Sequence, residues 1–195
     1  MGKALFITGT GTDIGKTYVT GLIVKKLRDA GLRAGYYKAA LSGAETLADG
    51  TLLPGDALHV ARVAGLAAAD TTVSYIYRDA VSPHLAAQIE NRPMDFDKVE
   101  QDYRTAKERT EYLTVEGSGG IICPLRWDNE EHVILDDLVL RLGLSALVVA
   151  DAGLGTINAA VLTAEHLKMR GIPLKGFIFN NWTGGTMQED NVTMV

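Results

Sequence analysis

The chain is predicted to be an α/β protein: a mostly parallel sheet with helices on both faces. Three observations lead there. Apolar runs recur at residues 4–8, 34–37, 112–116, 146–150 and 174–180, each followed by a glycine-rich or polar turn. Segments of helical periodicity fall between and around them, at 16–30, 56–63, 82–91, 97–109, 135–142 and 157–170. The strand-like runs are also nearly continuous in apolar character rather than alternating, as strands buried on both faces are. In such a sheet ligands gather at the carboxyl ends of the strands. That directs attention to residues 9–17, Lys38, Glu116, residues 151–158, and Asn180 with Asn181.

Composition narrows the setting. With 195 residues, 47% of them apolar, the chain suits one α/β domain over residues 1–195. Lys and Arg number 19 and Asp and Glu 24, a net charge of −5, and the basic residues are scattered. Neither nucleic acid nor an anionic membrane is therefore an expected partner, and an anionic ligand must be handled locally. Cys123 has no second cysteine to pair with, and no signal pattern precedes the first strand, so a cytoplasmic protein is expected. No apolar stretch approaches the roughly 20 residues of a membrane span; the longest, 144–150, reads as a buried strand.

Taken in order, the first strand runs into Gly9-Thr10-Gly11-Thr12-Asp13-Ile14-Gly15-Lys16-Thr17 and then a helical segment. This is the setting of a loop that wraps a nucleotide triphosphate, and it makes the expected fold one of P-loop NTPase type. Glycines let backbone N–H groups close on phosphate oxygens, the helix N-terminus adds its positive end, and Lys16 can reach the β- and γ-phosphates. Thr17 is placed to offer its hydroxyl to Mg²⁺. Five residues rather than four separate Gly9 from Gly15, a departure from the commonest spacing. Without ligand, the Lys16 side chain is expected to face solvent.

The second strand ends at Lys38, whose ammonium would lie near the γ-phosphate if this strand neighbours the first; otherwise it is a solvated strand-end lysine. Residues 42–55 and 124–133, rich in Gly, Asp, Glu and Pro, read as long active-site loops. Asp56, before Ala57-Leu58-His59-Val60, suits a helix N-cap as well as a metal ligand. Ser82-Pro83-His84 opens a helix with Ser as the cap and Pro in the first turn. Glu116 ends its strand before Gly117-Ser118-Gly119-Gly120, and is the best-placed acid for a metal ion, its plainer reading being a solvated carboxylate. Leu154-Gly155-Thr156-Ile157-Asn158 opens the helix at 157–170, where free N–H groups can cradle a carboxylate or phosphate or simply cap the helix. Asn180 and Asn181 close the last strand with amides able to pair with an adenine edge. A helix could start near 187, and the carboxyl end reads as short by about a helix and a strand.

In this order the segments resemble the dethiobiotin synthetase family. The resemblance is carried by the loop from Gly9 to Thr17, Lys38 with Ser42-Gly43, Gly55-Asp56-Ala57-Leu58, Ser82-Pro83-His84-Leu85-Ala86, Val115-Glu116-Gly117-Ser118-Gly119-Gly120 with Pro124-Leu125, Gly153 to Asn158, and Asn180. It implies ATP-dependent carboxylation and ring closure of 7,8-diaminopelargonate with CO₂ to give dethiobiotin, ADP and phosphate. It also implies that Gly9, Thr12, Asp13, Ile14, Gly15, Lys16, Thr17, Glu116 and Asn180 bind nucleotide. Thr17, Asp56 and Glu116 would hold Mg²⁺, while Lys16 and Lys38 stabilise the transferring phosphate. Thr12, Lys38 and Ser42 would contact the diamine or its carbamate, and Gly155, Thr156, Ile157 and Asn158 of a second subunit would bind the substrate carboxylate, which calls for a homodimer. The chain departs from the family pattern at Gly11, Ala39 and Asn181. Two other functions share the loop: a switch ATPase of the partitioning type, and an ATP-dependent amidation enzyme of cobalamin synthesis. Partitioning ATPases usually carry a further lysine where Thr10 or Gly11 stands, and no chain remains for an amidotransferase domain.

Overall fold

The computed structural model describes residues 2–195. In chain order the first half comprises β1 (Lys3–Gly9), α1 (Lys16–Asp29), β2 (Ala34–Leu41), β3 (Glu45–Thr46), β4 (Leu52–Leu53), α2 (Gly55–Ala64), β5 (Thr71–Ile76), α3 (Pro83–Ile89) and α4 (Phe96–Glu108). The second half comprises β6 (Tyr112–Glu116), β7 (Pro124–Trp127), β8 (His132–Ile134), α5 (Leu135–Arg141), β9 (Ala146–Asp151), α6 (Thr156–Met169), β10 (Leu174–Asn180) and α7 (Thr186–Met194). Six strands form one sheet in the order β10-β9-β1-β6-β2-β5, all neighbours parallel. The α/β expectation holds.

Alternation along β2 sorts the helices onto two faces, because successive side chains of a strand point oppositely. Ala34 and Tyr36 pack with Val24 of α1 and Ala57, Val60 and Ala64 of α2. Tyr37 instead joins the larger cluster, with Phe96, Val99 and Tyr103 of α4, Leu135 and Leu138 of α5 and Leu167 of α6. Helix α4 illustrates the local logic. Phe96, Val99, Tyr103 and Ala106 give it one buried stripe, and the Asp95 carboxylate accepts from the N–H groups of Asp97 (2.9 Å) and Lys98 (3.3 Å), satisfying donors that a helix start otherwise leaves free.

Several expectations are corrected. The strand at 71–76 was not foreseen; it is an edge strand with Tyr75 as its one buried residue, so it lacks the continuous apolar run of the central strands. Residues 42–55 and 124–133 are not wholly loops, since β3 pairs with β4 and β7 with β8 as short antiparallel ribbons. Ser82 does stand at the N-cap position of α3, but makes no side-chain capping bond; its Oγ lies 2.9 Å from His84 Nδ1. Asp56 is not a cap either: the cap position of α2 is Pro54, and Asp56 sits in the first turn.

Candidate active site

The loop between β1 and α1 is shaped by two left-handed residues. Asp13 has φ 57° and Gly15 φ 89°, conformations that favour Gly and are tolerated by Asp. At Gly15 a Cβ would also come within 2.1 Å of Asn180 Nδ2, so a side chain there would have to displace that amide. That amide donates to the Ile14 carbonyl at 2.9 Å. Asn180, at the end of β10, is thus tied to the loop from across β9. Helix α1 carries no acidic residue in its first turn, which leaves its positive end available to an anion.

A cavity of about 450 Å³ lies over the carboxyl ends of β1, β6 and β2, lined by Thr12, Asp13, Gly15, Lys16, Thr17, Lys38, Ser42, Asp56, Glu116 and the Gly117-Ser118-Gly119 turn. Lys38, Asp56 and Glu116 form one network within it. Lys38 Nζ donates to Asp56 Oδ2 at 2.6 Å and to Glu116 Oε1 at 2.8 Å. Thr17 Oγ1 donates to the same Glu116 oxygen at 2.8 Å, and Tyr36 Oη donates to Glu116 Oε2 at 3.1 Å. Burial opposes the charged form of Lys38, yet Glu116 and Asp56 carry its pKa above the usual lysine range. Lys16 differs: burial, then the neighbouring Lys38, lower its pKa, and its ammonium donates to the Gly11 carbonyl at 2.6 Å. The expected solvent-facing Lys16 is therefore wrong. The side chain is buried, folded back on its own loop.

The premise about Lys38 also changes. Strand β2 does not neighbour β1, because β6 lies between them. Lys38 reaches the site because it stands opposite Glu116 in the β2–β6 register, as Ile7 does on the other side. Glycine 117 follows for a steric reason: a Cβ there would lie 2.7 Å from Phe6 Cζ and 2.9 Å from Leu135 Cδ2.

Asp56 and Glu116 meet on the Lys38 ammonium and Thr17 bonds Glu116, a group of hard-oxygen donors that suits Mg²⁺. Among the described residues no group of three or more His, Cys, Asp and Glu side chains is placed to hold a metal ion. The set here has two carboxylates and a hydroxyl, the sparse protein contribution typical of Mg²⁺ shared with phosphates and water. Gly155, Thr156, Ile157 and Asn158 are not brought to this cavity. They begin α6 after β9, on the other side of β1 from Glu116 and Lys38. Gly155 is left-handed at φ 91°, and the buried Thr156 Oγ1 has no hydrogen-bond partner among the described residues. The residue that sequence reasoning missed is Tyr36, hidden within an apolar strand; its signal was its place two residues before Lys38, on the same side of β2.

Comparison with known proteins then fixes the family. A family model described as an AAA domain matches residues 3–195. The ATP-dependent dethiobiotin synthetase BioD of Brachyspira hyodysenteriae is 48% identical over 197 residues, covering 100% of this chain and 87% of that protein. The protein of the same name from Clostridium botulinum (strain Loch Maree) is 50% identical over 183 residues, 93% of this chain and 80% of its own length. The chain belongs to the dethiobiotin synthetase family. Among solved structures, a ParA family ATPase from Chlorobium tepidum superposes with a TM-score of 0.54 at 12% identity, over 98% of this chain and 78% of its own. The kinase domain of the Escherichia coli tyrosine kinase ETK gives 0.53 at 17% identity, over 94% and 70%. These two likenesses extend to the fold alone, so they lend nothing to the partitioning alternative, whereas the dethiobiotin synthetases match in sequence along nearly all of the chain. No helix among the described residues is long and apolar enough to cross a membrane.

Proposed function

We propose that this ATP-dependent enzyme of the dethiobiotin synthetase family carboxylates 7,8-diaminopelargonate with CO₂ and closes the ureido ring, working as a cytoplasmic homodimer with Mg²⁺. The observation that carries the reading is the convergence of Lys16, Thr17, Lys38 and Glu116 on one cavity in a chain 48–50% identical to dethiobiotin synthetases.

The chemistry proceeds in three steps. One amine attacks CO₂ and loses a proton, giving a carbamate. A carbamate oxygen attacks the γ-phosphorus and ADP leaves. The second amine then attacks the activated carbonyl carbon, loses a proton and expels phosphate. Lys16 exchanges its bond to the Gly11 carbonyl for β- and γ-phosphate oxygens. Lys38, charged and buried, is positioned to neutralise charge that grows on the transferring group. Thr12 and Ser42, both lining the cavity, contact the diamine or carbamate. Thr17, Asp56 and Glu116 would hold Mg²⁺, which when bound supplies charge neutralisation on the phosphates.

Substrate carboxylate binding falls to Gly155, Thr156, Ile157 and Asn158 of the second subunit, through N–H groups at the start of α6, whose first turn holds no acid. The Thr156 N–H would give up its long bond to the Gly153 carbonyl, 3.4 Å, in exchange. The exposure of this segment supports an approach from outside: Leu154 is 91% exposed, and Gly155 and Asn158 are exposed beside it. Asn180 reads adenine with whatever its bond to the loop leaves free. The test is incubation with ATP, Mg²⁺, bicarbonate and 7,8-diaminopelargonate, followed by mass spectrometry. Ring-closed product that disappears when any one component is omitted is expected; ATP hydrolysis without product, whatever the amine supplied, would overturn the reading.

A further inference from the structure

The two oxygens of the Glu116 carboxylate have different partners. Oε1 accepts from the Thr17 hydroxyl and the Lys38 ammonium, each at 2.8 Å. Oε2 accepts from the Tyr36 phenol at 3.1 Å. The terminal torsion of a glutamate side chain is broad and nearly free to turn, so a carboxylate held at one oxygen only could present either edge. Here the second oxygen is bonded inside the fold: Tyr36 is fully buried, and the Glu116 side chain is 0% exposed. Tyr36 and Lys38 lie two residues apart on β2, hence on one side of the strand, and between them they serve both oxygens of an acid on the neighbouring strand β6.

We infer that Tyr36 is a positioning residue for Glu116: by holding Oε2 it turns Oε1 toward Thr17 and Lys38, the edge that a divalent cation must use. This rests on the Mg²⁺–ATP reading above. A merely structural role has the same parts list, because Tyr36 also packs with Val24 and Val60 beneath α1 and α2. The neighbouring Tyr37 separates the two. It is equally buried, its hydroxyl is bonded to Ser74 and to the Val99 carbonyl, and it packs on the opposite face of the sheet, away from the carboxylates.

The experiment compares Tyr36→Phe with Tyr37→Phe, each losing one buried hydroxyl, and with Glu116→Gln. Mn²⁺ binding to protein loaded with a non-hydrolysable ATP analogue is followed by electron paramagnetic resonance, with thermal unfolding as the measure of fold. Tyr36→Phe is expected to weaken Mn²⁺ about ten-fold, the scale for losing the partner that orients a metal ligand, while Tyr37→Phe binds as wild type. The Mg²⁺ concentration for half-maximal turnover should rise in step, with kcat at saturating Mg²⁺ within about two-fold. Wild-type Mn²⁺ affinity in Tyr36→Phe, against weakened binding in Glu116→Gln, would overturn the positioning role. Equal weakening in both tyrosine variants would mark a packing effect and overturn it too. Wild-type affinity in Glu116→Gln would instead sink the metal-site reading beneath it.

Discussion

The cavity over β1, β6 and β2 and the cradle at the start of α6 have opposite characters. In the cavity the buried acid and its lysine have partners within the chain: Lys38 and Glu116, with side chains 5% and 0% exposed, bond each other and draw in Asp56, Thr17 and Tyr36. In the cradle Gly155 and Asn158 are exposed, and the Thr156 hydroxyl bonds to nothing among the described residues. Both are ends of parallel strands followed by helices. The difference is position in the sheet: β6 lies between β1 and β2, so one register brings Lys38 and Glu116 face to face, whereas β9 delivers its helix on the far side of β1. A site assembled from adjacent strands completes itself; the start of α6 leaves Gly155 and Asn158 facing outward.

The sharpest way to break that contrast is to compare the two lysines. Lys16→Ala should lower turnover at least a hundred-fold, as expected when one fixed donor to the transferring phosphate is lost, with little change in stability, since its ammonium bonds only a backbone carbonyl. Lys38→Met should lower turnover on a similar scale and also cost about 3–5 kcal/mol of stability, because it leaves the buried Glu116 carboxylate without its cation. Product formation and urea unfolding check both. Equal stability in the two variants would mean that the ion network does not hold this end of the sheet together.

A smaller effect is expected at the cradle. Gly155→Leu has room for its side chain, since nothing lies within 4 Å of the added Cβ, but φ 91° strains it. The Michaelis constant for the diamino acid should rise about ten-fold or more while ATP binding stays near wild type. Mixed with Lys16→Ala, this variant should regain activity, because each heterodimer would combine one intact loop with one intact cradle. Heterodimers that form and stay inactive would assign the whole site to one chain.

Much of this was legible beforehand, for identifiable reasons. The phosphate loop, the strand-end Glu116 and five of the six sheet strands follow from local patterns: glycines where backbone must close on an anion, and apolar runs where a strand is covered on both faces. Strand order is a non-local property, so nothing in the sequence places β6 between β1 and β2, and the sequence alone brings Lys38 to the site only through the wrong neighbour. Tyr36 read as core because it is core; its second role exists only once β6 brings Glu116 beside it. The buried Lys16 was missed because the Gly11 carbonyl it bonds becomes available only in the folded loop.

The mildest expected change lies where the strand meets the cradle. Asp151 ends β9, and its carboxylate accepts from the Asn181 amide and from the Gly153 N–H, both at 2.6 Å. Those bonds, Asn181's first, hold its pKa below the ordinary carboxylate value. A depressed carboxylate stabilises the folded state above its unfolded pKa, about 3.9, and that contribution disappears as pH falls through the lower folded value. Asp151→Asn keeps the shape but sets amide against amide, so it should cost about 1 kcal/mol at pH 7. The gap from wild type should narrow as the pH falls below about 4 and the native carboxyl takes up its proton. Because Asp151 shapes the Gly153 turn that leads into Gly155, the Michaelis constant for the diamino acid should rise only a few-fold. Denaturant unfolding across that range reads the charge directly: a gap that stays constant in acid would leave the turn dependent on the shape of residue 151 rather than on its charge.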